Sequence, residues 1–252
     1  MAQGHRPSGA TIRVVKSFPN EQECGEHLRL MNAASGDIAL PCVLESPQEI
    51  AMPLAQPRVE AAALVDLLGA YSRLWRMANP RQHVSIGEYH NYVFERAKDT
   101  SQIALDDDEA RFTLAQAAYL ADDLFPSAQA AHLRAAQFGF THGDAIVSNA
   151  VTTQRGVRLI DFSPRPTPPD REIDASKLVF SALGFDLGPR RQLALRRLLT
   201  DLLSSTMNPA LMRYYLTTHL IRVITREPPK TLARRKFFKE VLNHAITGNQ
   251  WR

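Results

Sequence analysis

Residues 138–163, FGFTHGDAIVSNAVTTQRGVRLIDFS, set three oxygen-bearing side chains at fixed spacing between two apolar segments. Asp144 closes the tripeptide His142-Gly143-Asp144. Asn149 follows five positions later and Asp161 seventeen positions later, the last within the apolar run Val157, Leu159, Ile160 and Phe162. One carboxylate, one amide and a second carboxylate converge, and the chemistry that needs this set is phosphoryl transfer from a nucleotide bound to Mg²⁺. The metal is a hard cation that takes oxygen ligands; an Asn carbonyl and an Asp carboxylate supply two and leave the others to phosphate oxygens and water. Asp144 then orients an attacking hydroxyl and accepts its proton. The apolar residues around Asp161 hold it at a strand end, and pairing with the metal offsets the cost of placing a charge there. Without that chemistry the same residues are a polar turn followed by a strand; the two spacings and the strand context together favour the catalytic reading.

HGD-x-x-x-x-N followed by IDF resembles the aminoglycoside phosphotransferase and choline kinase branch of the protein-kinase-like fold, which writes HGD where protein kinases usually write HRD. The resemblance implies Asp144 as catalytic base, Asn149 and Asp161 as metal ligands, and ATP with Mg²⁺ as cofactors. It also implies an α+β, two-lobe architecture: a small, truncated N-terminal β-sheet lobe over residues 1–57 and a larger helical lobe over 58–252. Ala145 departs from the family pattern, which usually has Leu, and bears on packing more than on chemistry.

The elements that must position these residues can be followed along the chain. Residues 1–10 are rich in Gly, Pro and Ser, a flexible composition. Thr11 to Lys16 alternates and is β-branched, which predicts a strand. VVK matches the family at Lys16, so the resemblance makes Lys16 the contact to the nucleotide phosphates, a role that suits a compact ammonium. Residues 20–34 predict a helix capped by Asn20, with Leu28, Leu30 and Met31 apolar. The family places here a glutamate that pairs with the strand lysine; Glu26 fits best, and Glu23 is the alternative. Val43-Leu44 and Ile50-Ala51-Met52 predict two more strands, with a hinge after Met52.

From Val59 to Met77 the apolar spacing is helical and opens the second lobe. Residues 79–106 are ambiguous between helix and irregular chain. Residues 107–137 return to helical periodicity, with an interruption expected at Phe125-Pro126. His83, His90 and His132 have no carboxylate or cysteine at ligand spacing. A proline-rich connector follows Asp161, and a helix then starts around Ile173, with Asp174 near its first turn, where a carboxylate favours the dipole. The family carries a similar D-x-x-K-L run here, so the resemblance implies Asp174 as a structural support for the catalytic loop. Three amphipathic helices are expected at 189–204, 208–226 and 230–247.

The chain has 252 residues, 44% hydrophobic and 22% charged, enough for a sizeable core. No apolar run approaches the roughly 18 residues of a membrane span, and MAQGHRPSGA lacks a signal-peptide core, so the cytoplasm is the expected location. Cys24 and Cys42 show neither CxxC nor zinc spacing and read as free thiols. The net charge of +4 and pI of about 9.2 suit an anionic ligand such as a nucleotide. Its late basic clusters, Arg190, Arg191, Arg196 and Arg197, then Lys230, Arg234, Arg235, Lys236 and Lys239, read as solvated helix faces, and no nucleic-acid or membrane motif accompanies them.

Kinase-like proteins normally precede the lysine strand with two strands and a Gly-rich loop, and fifteen residues are too few for the usual hairpin. Gly4 and Gly9 leave room for a short substitute, and a protein partner or the substrate is another way to complete the site. Between Ser163 and Asp174 there is no space for a long activation segment and no APE follows, which favours a small hydroxylated acceptor: an amino sugar, an amino alcohol or a related metabolite. The late helices are expected to line its pocket, where acidic residues would attract a cationic acceptor; Asp201 and Glu240 are too scattered to decide this. The alternatives are a minimal protein kinase and a catalytically inactive kinase-like interaction protein.

Overall fold

The computed structural model of the chain describes residues 13–34, 36–53, 64–80, 84–101, 108–134, 139–184, 206–226 and 232–247. The chain begins with β1 (Arg13–Ser17), α1 (Glu21–Ala33), β2 (Val43–Ser46) and β3 (Glu49–Pro53). The three strands form an antiparallel sheet in the order β1-β3-β2, with Lys16 opposite Ile50. Ile50, Ala51 and Met52 are buried, as the central position of β3 requires, whereas Val14, Val15, Val43 and Leu44 on the outer strands are exposed. Asn20 caps α1 by accepting the Glu23 N–H at 2.8 Å, which satisfies one orphan donor of the first turn. The expected strands and first helix are therefore in place; the hinge falls outside the described residues, as do Gly4 and Gly9.

The second part of the chain is helical: α2 (Leu64–Leu74), α3 (Ile86–Ser101) and α4 (Asp108–Arg134), then a hairpin of β4 (Ala150–Thr153) and β5 (Gly156–Leu159), then α5 (Arg171–Gly184), α6 (Pro209–Arg226) and α7 (Leu232–Thr247). α6 is the hub and packs on α3, α4, α5 and α7. Its residues from Tyr214 to Ile221 are all buried, so it reads as apolar nearly all round, the pattern of a central helix. Asn208 caps it through Oδ1, which accepts the N–H groups of Ala210 and Leu211, and Pro209 occupies the first turn where a missing N–H costs nothing.

One ambiguity about the helices is resolved and one expectation is corrected. The ambiguous segment GEYHNYVFERAKD is helical within α3, held by burial of Ile86, Tyr89, Val93 and Ala97 on one face. The interruption expected at Pro126 does not occur, and α4 runs through it. Pro126 is exposed, and so is Asp122, the residue one turn earlier whose carbonyl has no proline N–H to accept from. Leu124 and Ala128 on either side are buried, so packing outweighs the local cost. The helix expected at 189–204 lies outside the described residues.

Of the late basic clusters, Arg190, Arg191, Arg196 and Arg197 also lie outside them. Arg235 and Lys239 of α7 both pair with Glu109 of α4. Cys24 and Cys42 are free and buried, and burial raises the pKa of Cys42 to about 11. Among the described residues no helix is long and apolar enough to cross a membrane.

The sheet and the helical part meet at the hairpin. The backbone of Leu159 donates to Ile38 at 2.8 Å and accepts from Leu40 at 3.0 Å, so the segment after α1 lies beside β5. The Lys16 ammonium, 2.8 Å from Asp161 Oδ1, joins β1 to the residue that follows β5.

Candidate active site

The loop that carries Asp144 starts under tight constraint. Phe140 is fully buried, and its N–H donates to Met77 at 3.1 Å. Gly139 lies so close to α2 that a Cβ there would stand 2.2 Å from the Trp75 carbonyl oxygen, which leaves room for glycine alone. His142 is also fully buried. Its Nε2–H donates to the Ile160 carbonyl at 2.8 Å and its Nδ1 accepts the Asp144 N–H at 3.3 Å, an assignment fixed by the carbonyl being only an acceptor. Gly143 takes φ 77°, the left-handed region where glycine is favoured.

Asp174, 1% exposed in the first turn of α5, accepts the His142 N–H at 2.6 Å, the Gly143 N–H at 2.9 Å and the Trp75 indole N–H at 3.1 Å. Two loop amides and the indole of Trp75, just after α2, thus share a single buried carboxylate, which is the support expected of this residue.

Asp144 is held on both oxygens. The Lys177 ammonium, one turn after Asp174 on α5, donates to Oδ1, and Asn149 Nδ2 donates to Oδ2 at 3.0 Å. Burial pushes the Asp144 carboxyl up, but the Lys177 charge and hydrogen bond, with His142 and the Asn149 amide, outweigh it. Its pKa is lowered below the ordinary aspartate value. The group is therefore a carboxylate at neutral pH.

Asn149 ends a short 3-10 turn before β4 and is buried; its Nδ2 also donates to the Asp144 carbonyl at 2.9 Å. With the amide nitrogen engaged there, Oδ1 is directed away from Asp144. The Ile160 N–H donates to the Asn149 carbonyl at 2.9 Å, which sets Asn149 beside Asp161 across the hairpin. Asp161 has φ 61°, unusual for a residue with a side chain and a local strain retained next to the site. The three residues expected to converge do so. An Asn oxygen and an Asp carboxylate fit a hard divalent cation that takes its other ligands from phosphate and water. Among the described residues no group of three or more His, Cys, Asp or Glu could hold a metal without such help.

Lys16 reaches the same place from the sheet: its ammonium pairs with Asp161 Oδ1 at 2.8 Å and lies 5.0 Å from the Phe18 ring centroid. The pairing expected between Lys16 and Glu26 is not the one present. Glu26 is gripped by Arg29, with Nε to Oε2 at 2.8 Å and Nη2 to Oε1 at 2.7 Å, a bidentate geometry that a lysine cannot match. Glu23 lends its backbone N–H to the Asn20 cap, and among the described residues neither glutamate forms an ion pair with Lys16. What ties α1 to the site is His27, one position on: fully buried, it donates from Nδ1 to the Phe162 carbonyl at 2.7 Å.

Sequence reasoning also missed a cavity of about 210 Å³ beyond Asp144. Arg165, Lys177, His219, Arg222 and Arg226 line it. A signal for it exists: His219, Arg222 and Arg226 recur at helical spacing on α6, an otherwise apolar helix. Asp201 lies outside the described residues and Glu240 does not line the cavity, so the acidic attraction expected of the late helices is not what its described wall presents. Burial, Lys177 and Arg222 push the His219 pKa well below its usual value, so the ring is neutral.

No family model matches the sequence, and no curated protein matches it. Solved structures do. An aminoglycoside phosphotransferase APH(4)-Ia, a thermostable mutant in ternary complex with ADP and hygromycin B, matches at TM-score 0.65 and 10% identity, covering 93% of this chain and 84% of that one. Choline kinase from Cryptosporidium parvum Iowa II matches at 0.59 and 14%, over 92% and 78%. The AMP-bound spectinomycin phosphotransferase APH(9)-Ia matches at 0.55 and 13%, over 94% and 87%. The chain has the protein-kinase-like fold of these small-molecule phosphotransferases, with a small sheet lobe and a larger helical lobe.

Proposed function

We propose that the chain is an ATP- and Mg²⁺-dependent phosphotransferase that acts on a hydroxyl group of a small molecule. The observation that carries this is the meeting of Asp144, Asn149 and Asp161 at the hairpin with Lys16 arriving from the sheet. Asp144 is the base in this reading. Its carboxylate accepts the proton of the acceptor hydroxyl, the hydroxyl oxygen forms a bond to the γ-phosphorus, and the bond from that phosphorus to the β–γ bridging oxygen breaks to release ADP. Lys177 keeps the base ionised, and Asp174 keeps the loop backbone in place.

Asn149 Oδ1 and the Asp161 carboxylate would hold Mg²⁺, which when bound would neutralise charge on the phosphates. Lys16 contacts those phosphates in this reading, which its 2.8 Å contact with the proposed metal ligand Asp161 supports. Glu26 belongs to this reading indirectly, since Arg29 joins it to the Pro80 carbonyl at 2.9 Å and so fixes α1 against the helical lobe.

A small acceptor is favoured over a peptide by the connector after Asp161. Thr167 bonds Thr141 at 3.1 Å, and Asp170 is held by His132 at 2.8 Å and by the Tyr215 hydroxyl. The segment is pinned to the helical core and offers no extended platform. The rival reading, a kinase-like interaction protein without activity, draws on the exposed apolar side chains of β1 and β2.

Calorimetric titration of ATP with and without Mg²⁺, on the wild type and Asp161→Asn, tests the proposal. The expected result is metal-dependent binding to the wild type and none to the variant. Failure of the wild type to bind at millimolar nucleotide would sink the enzyme reading.

A further inference from the structure

The cavity beside Asp144 has the wrong charge for the acceptors named for the structurally similar enzymes. Among the described residues its wall carries four cationic side chains, Arg165, Lys177, Arg222 and Arg226, and no carboxylate. The described lining residues all follow Asp161 in the chain and none belongs to the sheet that supplies Lys16, which puts the cavity on the acceptor side of the site.

Lys177 has its counter-charge in Asp144. Arg222 is half-buried and its Nη1 donates to the Tyr89 hydroxyl at 3.4 Å; among the described residues no carboxylate lies within 4.0 Å of it or of Arg226. A half-buried guanidinium that has a hydroxyl beside it, and among the described residues no carboxylate within ion-pair reach, keeps donors for an anionic ligand. Arg222 and Arg226 stand one turn apart on the same face of α6, the spacing at which side chains meet, and guanidinium forks match the planar oxygens of carboxylates and phosphates. Phe180 and Val223 add an apolar patch for a carbon skeleton. The volume is below the roughly 300 Å³ at which pockets for drug-sized ligands begin, which points to a compact molecule. The neutral state of His219 agrees with a positive field in the cavity.

We infer that the acceptor is a small hydroxylated anion, whose carboxylate or phosphate group sits on Arg222 and Arg226 while its hydroxyl faces Asp144. This rests on the phosphotransferase reading for the role of Asp144, but the anion subsite is tested without turnover. A cationic amino alcohol would meet like charge on this wall.

The test is calorimetric binding of glycerate, glycerol 3-phosphate, glycerol and choline to the full chain, with and without a saturating non-hydrolysable ATP analogue and Mg²⁺, followed by phosphoryl-transfer assays on the same four compounds. Binding of at least one anion should exceed that of glycerol and choline by tenfold or more, and the two anions separate a carboxylate site from a phosphate site. Arg226→Gln, at an exposed position that leaves the core intact, and Arg222→Gln should each erase that preference. Equal binding of all four compounds, a preference for choline, no binding by either anion at millimolar concentration, or a preference that survives both substitutions would overturn the inference. So would loss of anion binding when the nucleotide analogue is present, because the cations would then belong to the nucleotide. Anion binding without phosphoryl transfer would leave the subsite standing and count against the phosphotransferase reading; transfer to choline or glycerol in preference to the anions would do the reverse.

Discussion

The Lys177 ammonium donates to Oδ1 of Asp144, so the carboxylate proposed as base is paired by a cation from α5, three residues beyond the aspartate that holds its loop. Burial alone would push this carboxyl up; the lysine reverses the sign. Because the folded pKa is depressed, the ionised state contributes stability that is present above the unfolded value of about 3.9 and lost as pH falls through the folded one. In Lys177→Met the burial effect is unopposed by its main partner. We expect kcat to fall by roughly tenfold to a hundredfold, within the range general-base effects span, and the acid limb of kcat/KM to move to higher pH. A pH–rate profile identical in shape to the wild type would contradict this.

Asp174 is a structural residue with a large expected cost. Asp174→Ala strands three buried donors at once, those of His142, Gly143 and Trp75. At about 1–3 kcal/mol for each unsatisfied group, less whatever water recovers, a loss of about 3 kcal/mol or more is expected in urea unfolding. A change under about 1 kcal/mol would mean that the loop finds other acceptors.

His219 gives a pH signature opposite to a stabilising ion pair. Its folded pKa is depressed by burial first, then by Lys177 and Arg222, against a backbone bond to Ile173 and the Asp144 charge. The unfolded chain therefore takes up a proton near pH 6.5 while the folded one does not. Stability is complete above that value and falls as pH drops below it, by up to about 1.4 kcal/mol per pH unit. His219→Gln should flatten the pH dependence of the unfolding free energy between about pH 6.5 and 5, with His90, also depressed, supplying a remaining slope of the same sign. An unchanged slope in the variant would refute the assignment.

Gly139→Ala places a methyl 2.2 Å from the Trp75 carbonyl oxygen, backbone against backbone with nothing flexible to yield. Overpacking of this kind costs about 1–3 kcal/mol, and the shift falls one turn of chain before His142. The variant should lower both the unfolding free energy and kcat. Unaltered activity with lowered stability would show that Asp174 holds the loop independently of its approach.

The parts of this molecule that were readable from sequence are those whose signal is local. The strands at Lys16 and Met52, the Asn20 cap and the HGD-to-IDF spacing each rest on neighbouring residues, and each has its place in the structure. Pro126 misled because a local cost was overridden by burial of Leu124 and Ala128. Glu26 misled because Arg29, one turn away on the same helix, offers a bidentate geometry that Lys16 on β1 cannot match. The pairing of Lys177 with Asp144 and the role of the α6 arginines were not legible for a different reason. Their meaning depends on which face of α6 turns toward α5, and only the packing of the two helices decides that.

The competition for Glu26 itself yields a test. If the glutamate acts only through Arg29, Glu26→Gln keeps one side-chain oxygen for the guanidinium and should weaken ATP·Mg²⁺ binding by less than about threefold. Exposed pairs of this spacing are worth only about 0.3–0.5 kcal/mol. Lys16→Met removes a cation proposed to sit on the phosphates, and a charge-assisted contact of about 1.5–3 kcal/mol corresponds to a loss of tenfold or more. Calorimetry on the two variants separates the cases. Equal, large losses would show that Glu26 leaves Arg29 for Lys16 when nucleotide binds, and that the arrangement seen here belongs to the nucleotide-free chain.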